Sequence, residues 1–331
     1  MVDLDLLRSI WNIQCFMHGV SGTLMVATGM AIAIPVGYHY ALRDIKGWVA
    51  IAGLAFFDAI LGLGNVAYGI WNFDDPGYYI ANNLTSSNVV VQMPTKWDCF
   101  WEPPTLLKNL ALIPSGSMLL FVSVDSLILV CAPVFYLKYL TADHYKWLLV
   151  LLMGHVCMLN AHGGYIISQD RAETFNATFC TQLGATLFYF FQYNMIAYFL
   201  YPIASILVYG VALIGMVVRA KKISDETANQ GETKSQLLRD FQRRVARSVV
   251  VTLVTVAIPI VLLFAAWRNR SEKSVIRESI VQTLRLVPTV NSIANGYIFL
   301  YDNPHLLYAL SAVRQRKTLP HNIDMWQIPG Q

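Results

Sequence analysis

Seven stretches of this chain are long, apolar and nearly free of charge, at about 13–41, 48–71, 106–130, 147–168, 184–218, 247–267 and 280–301. A helix that crosses ~30 Å of hydrocarbon needs ~20 predominantly apolar residues, and each stretch meets that length. Inside a bilayer every backbone N–H and C=O must find its partner within the chain, so such stretches fold as helices. The pattern predicts an all-α integral membrane protein, a seven-transmembrane helix bundle occupying 13–301, with an extracellular N-terminus at 1–12 and a cytoplasmic tail at 302–331. Within the tail, Leu306, Leu307, Leu310 and Val313 recur at helical spacing ahead of Arg314, Arg316 and Lys317. That spacing predicts a short amphipathic C-terminal helix lying along the inner leaflet.

The polar segments between the stretches set the direction of the bundle. Hydrophobic residues make up 56% of the chain and charged ones only 13%, against about 25% charged in soluble domains. With the N-terminus outside, 15 of the 24 Lys and Arg residues fall in cytosolic segments, eight of them in 219–247. This is the asymmetry that orients membrane helices. The net charge of +4 is therefore an orientation signal and gives no reason to expect nucleic-acid binding. Three glycosylation sequons begin at Asn83, Asn176 and Asn269, and all three fall in segments assigned outside. Cys99, just before the third stretch, and Cys180, in the second outer loop, share that oxidising side, and a disulfide between them is expected. Pro103 and Pro104 mark the start of the third helix, because proline suits a first helical turn. Seven apolar runs alone would serve a channel, a transporter or a receptor in the plasma membrane, and an outside N-terminus argues against a seven-helix channel whose N-terminus lies inside.

Ionisable groups within a membrane are costly and mark function by default. Asp58 lies near the middle of the second stretch, Ser115 in the third, and Asn291, Ser292 and Asn295 in the seventh, where Asn291 and Asn295 share a helix face. Oxygen donors of this kind suit a small hard cation such as Na⁺. A protonated Asp58 satisfied by the neighbouring amides is the alternative. No Ser/His/Asp or Cys/His set is arranged for nucleophilic catalysis, no metal-ligand spacing occurs, and an enzyme is not expected.

Leu54-Ala55-x-x-Asp58, Asn291-Ser292-x-x-Asn295, and Asp125-Ser126-Leu127 followed after five residues by Pro133 resemble the rhodopsin-like G-protein-coupled receptors. Trp147, Pro202 and Pro259 fall near the family's tryptophan and bend prolines. The short N-terminus and long first outer loop are most similar to nematode serpentine chemoreceptors of the SX class. The resemblance covers about 10–318. It implies a chemosensory receptor, on sensory cilia for that class, that binds an extracellular small molecule or peptide and signals through a heterotrimeric G protein. No cofactor beyond an allosteric sodium ion at the Asp58 centre is implied. By the same resemblance Lys108 and Arg285 line the ligand pocket, where two cations would suit an anionic ligand. Asp125, Ser126, Leu127, Arg243, Arg244 and Arg247 would face the G protein. The chain departs from the pattern at Gly296 and Phe299, which stand for a proline and a tyrosine, and at Ser126, which stands for the arginine that reaches the G protein.

Overall fold

A computed structural model describes residues 4–73, 95–169, 200–218, 250–251, 253–254, 275–301 and 303–316. Its described elements are helical: α1 (Leu4–Tyr38), α2 (Tyr40–Arg43), α3 (Lys46–Trp71), α4 (Lys96–Trp101), α5 (Pro103–Cys131), α6 (Pro133–Tyr139), α7 (Ala142–Gln169), α8 (Leu200–Val218), α9 (Val275–Tyr301) and α10 (Pro304–Arg314). Among the described residues, five helices are long and apolar enough to cross a membrane. They are Trp11–Tyr38 within α1, α3, α5, α7 and α8. The sixth apolar stretch lies almost wholly outside the described residues. The seventh is helical in α9, but Arg285 and the polar group Asn291, Ser292 and Asn295 lower its mean hydropathy, and it falls short of the same apolarity. The architecture is that of an all-α membrane-embedded protein.

Helix ends follow the local chemistry. Pro103 and Pro104 open α5, as the sequence predicts, after Glu102 turns the chain out of α4. The short α4 begins at a capping box. Thr95 accepts from the Asp98 backbone N–H, and the Asp98 carboxylate accepts in return from the Thr95 backbone N–H. The aromatic face of α4 then seats on α7, with the fully buried Phe100 against the side-chain-free surface of Gly163 and Gly164.

Packing radiates from α3, which contacts α1, α5, α7 and α9. Its seam with α1 is made by glycines seven apart on each helix: Gly22 and Gly29 on α1, Gly62 and Gly69 on α3. A Cβ on Gly22 would lie 2.5 Å from the Gly62 carbonyl oxygen, and one on Gly69 would lie 2.5 Å from that of Cys15. Gly29 is packed as tightly against Ala55. Two membrane helices gain little from apolar burial against each other, since lipid is equally apolar. Close backbone approach is what holds them together. Gly22→Ala and Gly69→Ala are each expected to cost about 1–3 kcal/mol of unfolding free energy, because the obstructing atoms are backbone and cannot move aside. Gly37→Ala, where a Cβ meets nothing within 4 Å, is the control and should be neutral or slightly stabilising. Thermal unfolding in detergent micelles reads all three.

The main core lies toward one end of the bundle and joins α1, α3, α5, α7, α9 and α10 through Ile32, Leu54, Met118, Tyr145, Phe299 and Leu306. This end carries Arg43, Lys46, Lys138, Lys146, Arg314 and Arg316 and is called the basic end below. The tail helix α10 forms where its spacing predicts and docks here. Leu306 and Ala309 are fully buried, Leu307 and Tyr308 are exposed, and His39 at the end of α1 hydrogen-bonds the Ala309 carbonyl at 3.0 Å.

Candidate functional site

Two polar centres are built into the bundle. The first joins α3, α5 and α9 at Asp58. The carboxylate is buried, with 7% exposure. It accepts a hydrogen bond from Ser115 Oγ through Oδ1 and a second from the Ser292 side chain. One turn along α9, Asn295 Nδ2 donates to Asn291 Oδ1 at 3.2 Å. Asn295 and Ser292 line a cavity of about 10 Å³ together with Asp58, Thr28, Gly29 and Phe299. A volume of that size admits roughly one water-sized group. The sequence-predicted set is thus brought together: Asp58, Ser115 and Ser292 in direct hydrogen bonds, Asn295 on the same cavity, and Asn291 behind it as the partner of Asn295.

The centre is a buried carboxylate held by two hydroxyls, oxygen donors of the kind a small cation such as Na⁺ takes, and most of the wall of the adjoining cavity is apolar. Without a cation, the two hydroxyls already satisfy a buried carboxylate in the manner such groups require. Gly296 has a structural reason as well. A Cβ there would stand 3.0 Å from the Cβ of Thr28, so the absence of a side chain lets α9 approach α1 beside the cavity.

The second centre lies at the basic end, around Asp125 of α5. Its carboxylate is buried too, at 8% exposure. Tyr145 of α7 donates to Oδ1, and Tyr136 of α6 donates to Oδ2 at 3.4 Å. Lys46, the first residue of α3, places its ammonium 3.9 Å from the centroid of the Tyr136 ring and acts electrostatically on Asp125. The same ammonium donates to the Tyr136 carbonyl and, at 3.1 Å, to that of Leu140. Burial, reinforced by the Asp125 charge, pushes the Tyr136 hydroxyl well above its ordinary value, so it stays protonated and serves as a donor.

At the end of α5, Asp125 is turned into this buried network. Ser126 Oγ bonds back to the Val122 carbonyl at 3.0 Å, within its own helix, and Leu127 is half-buried. Sequence reasoning named Asp125 but missed Tyr136, Tyr145 and Lys46. The available signal was the acid itself, since a buried carboxylate at a helix end requires donors from elsewhere in the fold.

At the opposite end, Lys108 lies over the Tyr68 ring at 4.0 Å. Its stem packs on Gly64, where a Cβ would come within 3.0 Å of the Lys108 Cγ. Tyr68 also meets His18 edge-on, at 4.9 Å between centroids. Lys108 is therefore held against α3 by a cation–π contact. Arg285 lies on α9, but its side chain is outside the described residues. So are Arg243, Arg244, Arg247, Asn83, Asn176 and Asn269. Cys99 is disulfide-bonded and buried, while Cys15, Cys131 and Cys157 are free. Cys180, its expected partner, is outside the described residues.

No protein-family model matches the chain. No curated protein matches it either.

Proposed function

We propose that the chain is a seven-helix chemosensory-type receptor of the rhodopsin-like class, with its N-terminus outside the cell and its basic end in the cytosol. In this reading it binds an extracellular small molecule or peptide and engages a heterotrimeric G protein. The observation that carries the reading is the Asp58 centre, where one carboxylate within a membrane-embedded bundle links α3, α5 and α9 through Ser115 and Ser292. A centre of this kind ties together helices that must shift relative to one another if an outer ligand is to change the inner face. An agonist that prefers one arrangement shifts the population by its differential affinity. A sodium ion at the centre would act as an allosteric ligand in the same way. The loop charges and sequons support the orientation, and the cations Lys108 and Arg285 support an anionic ligand.

The back-bonded Ser126 favours a second reading, a receptor-like chain that binds ligand without coupling. A promiscuous G-protein reporter, challenged with a chemical and peptide panel, separates the two when parent and Ser126→Arg are run side by side. A parent response that is lost in Asp58→Leu supports the coupling receptor. A response confined to Ser126→Arg supports the non-coupling one. Ligand-independent ion flux in reconstituted vesicles would instead place the chain among channels or transporters.

A further inference from the structure

Helix α7 opens with a capping box whose third position is histidine. Thr141 is the N-cap, directly before Ala142, and His144 stands where such boxes carry Glu or Gln. The Thr141 backbone N–H donates to His144 Nδ1 at 3.2 Å, and the Thr141 hydroxyl lies 2.8 Å from the same nitrogen. The box that opens α4 uses Asp98 at this position. A carboxylate accepts from the N-cap whenever it is ionised, whereas an imidazole accepts only while it is neutral.

The direction of the bond sets the protonation state. A backbone N–H is always a donor, so Nδ1 offers its lone pair and the imidazole of the capped helix is neutral, with its proton on Nε2. A second proton enters only at Nδ1. The Thr141 hydroxyl can rotate to accept it, but the backbone N–H then faces another donor and loses its partner. The resulting cation also sits at the positive end of the helix dipole. Water reaches the site, because Thr141 and His144 are both exposed. On α7 itself, Asp143 is paired with Lys146 at 2.9 Å. The helices packed on this end of α7 bring Lys46 from α3 and Asp125 from α5, and Tyr136 and Tyr145 already hold that carboxylate. From α6 comes Lys138, which lies over the Tyr139 ring. Asp143 and Asp125 are thus engaged elsewhere, and neither replaces the acceptor that the Thr141 N–H loses.

We propose that His144 is a pH-sensitive cap of α7, closed while its imidazole is neutral and opened when the water at the basic end turns acidic. The stabilisation it gives is present at neutral pH and is lost as the pH falls. The consequence passes to the next residue. Tyr145 is buried and donates to Asp125 Oδ1, so fraying the first turn of α7 loosens a tie between α7 and α5. The inference does not rest on the receptor reading and needs only water at the basic end.

Hydrogen exchange read by mass spectrometry on the full chain in lipid nanodiscs tests this at about pH 7.5 and about pH 5.5, on either side of the range in which histidine ordinarily changes charge. Variants are compared with the parent at one pH at a time, which cancels the intrinsic pH dependence of exchange. The amides of 145–149 close the first turns of α7 and report its fraying. His144→Gln supplies an acceptor that does not titrate. At the neutral pH, parent and His144→Gln should exchange alike over 145–149. At the acid pH the parent should exchange about threefold to tenfold faster than His144→Gln, the factor for losing one hydrogen bond and placing a cation at a helix N-terminus. His144→Ala, which has no acceptor, should exchange fast at both. Parent and His144→Gln that match at the acid pH overturn the proposal, and so does a His144→Ala that matches the parent at the neutral pH. Acid acceleration of the parent that is as large in α1 and α9 as in 145–149 also overturns it, because acid would then destabilise the whole bundle and not open a cap.

Discussion

Asp58→Ala is expected to lower the unfolding free energy by about 3–5 kcal/mol. Two effects combine. The hydroxyls of Ser115 and Ser292 lose their acceptor inside the membrane, at about 1–3 kcal/mol for each buried group left without a partner. The deleted carboxylate also leaves a void among Thr28, Leu54 and Phe299 that a packed interior does not collapse to fill. Asp58→Asn separates these effects, since it keeps the volume and one acceptor oxygen, and it should cost only about 1 kcal/mol. Reversible unfolding in mixed micelles measures both variants. If the two losses were equal, volume and acceptor would be irrelevant, and the charge itself would be the stabilising element. Sodium makes a further distinction. In the parent, replacing K⁺ by Na⁺ should raise the melting temperature by mass action on the folded state, and in Asp58→Asn that increment should vanish.

Asp125→Ala is the second large effect, expected at about 3–5 kcal/mol. Removing one member of a buried charged network leaves the remaining members uncompensated. Here the remaining members are the hydroxyls of Tyr136 and Tyr145 and the Lys46 ammonium. The damage should be local in origin. Tyr145→Phe removes one donor and leaves the carboxylate with Tyr136 and the nearby charge, so about 1–2 kcal/mol is expected. Double-mutant cycles between Asp125 and each tyrosine would measure how strongly the three groups act together. Additive losses would contradict a shared network.

Much of the fold could be read from the sequence because its signal is one-dimensional. Apolar runs locate α3, α5 and α7 to within about five residues at each end, and Pro103 fixes the start of α5. The polar centre was legible for a related reason. Five hydrogen-bonding residues within apolar runs have few alternatives to meeting one another in lipid, and the structure joins Asp58, Ser115 and Ser292. The short helices were harder to see. α4 is announced only by Thr95 and Asp98 at capping-box spacing, and α6 only by Pro133 after the end of α5. The Lys46–Tyr136 contact spans 90 positions, so no local pattern encodes it, and Lys46 counted simply as a basic loop residue. The glycine seam was within reach. Gly22 and Gly29 repeat the seven-residue interval of Gly62 and Gly69, and matching intervals on two membrane helices signal close approach.

The clasp between His39 and the Ala309 carbonyl also bears on the order in which the protein is made. These groups stand 270 positions apart, so the ribosome releases the second long after the first is in the membrane. Until α10 emerges, the ring of His39 lacks this acceptor, and Leu42, buried in the same core as Leu306 and Ala309, lacks their cover. The basic end is therefore completed only after α9 has been made, when α10 follows it. A nascent chain stopped near residue 302 would carry its transmembrane helices and still expose an unfinished apolar floor to the quality-control machinery of the cell.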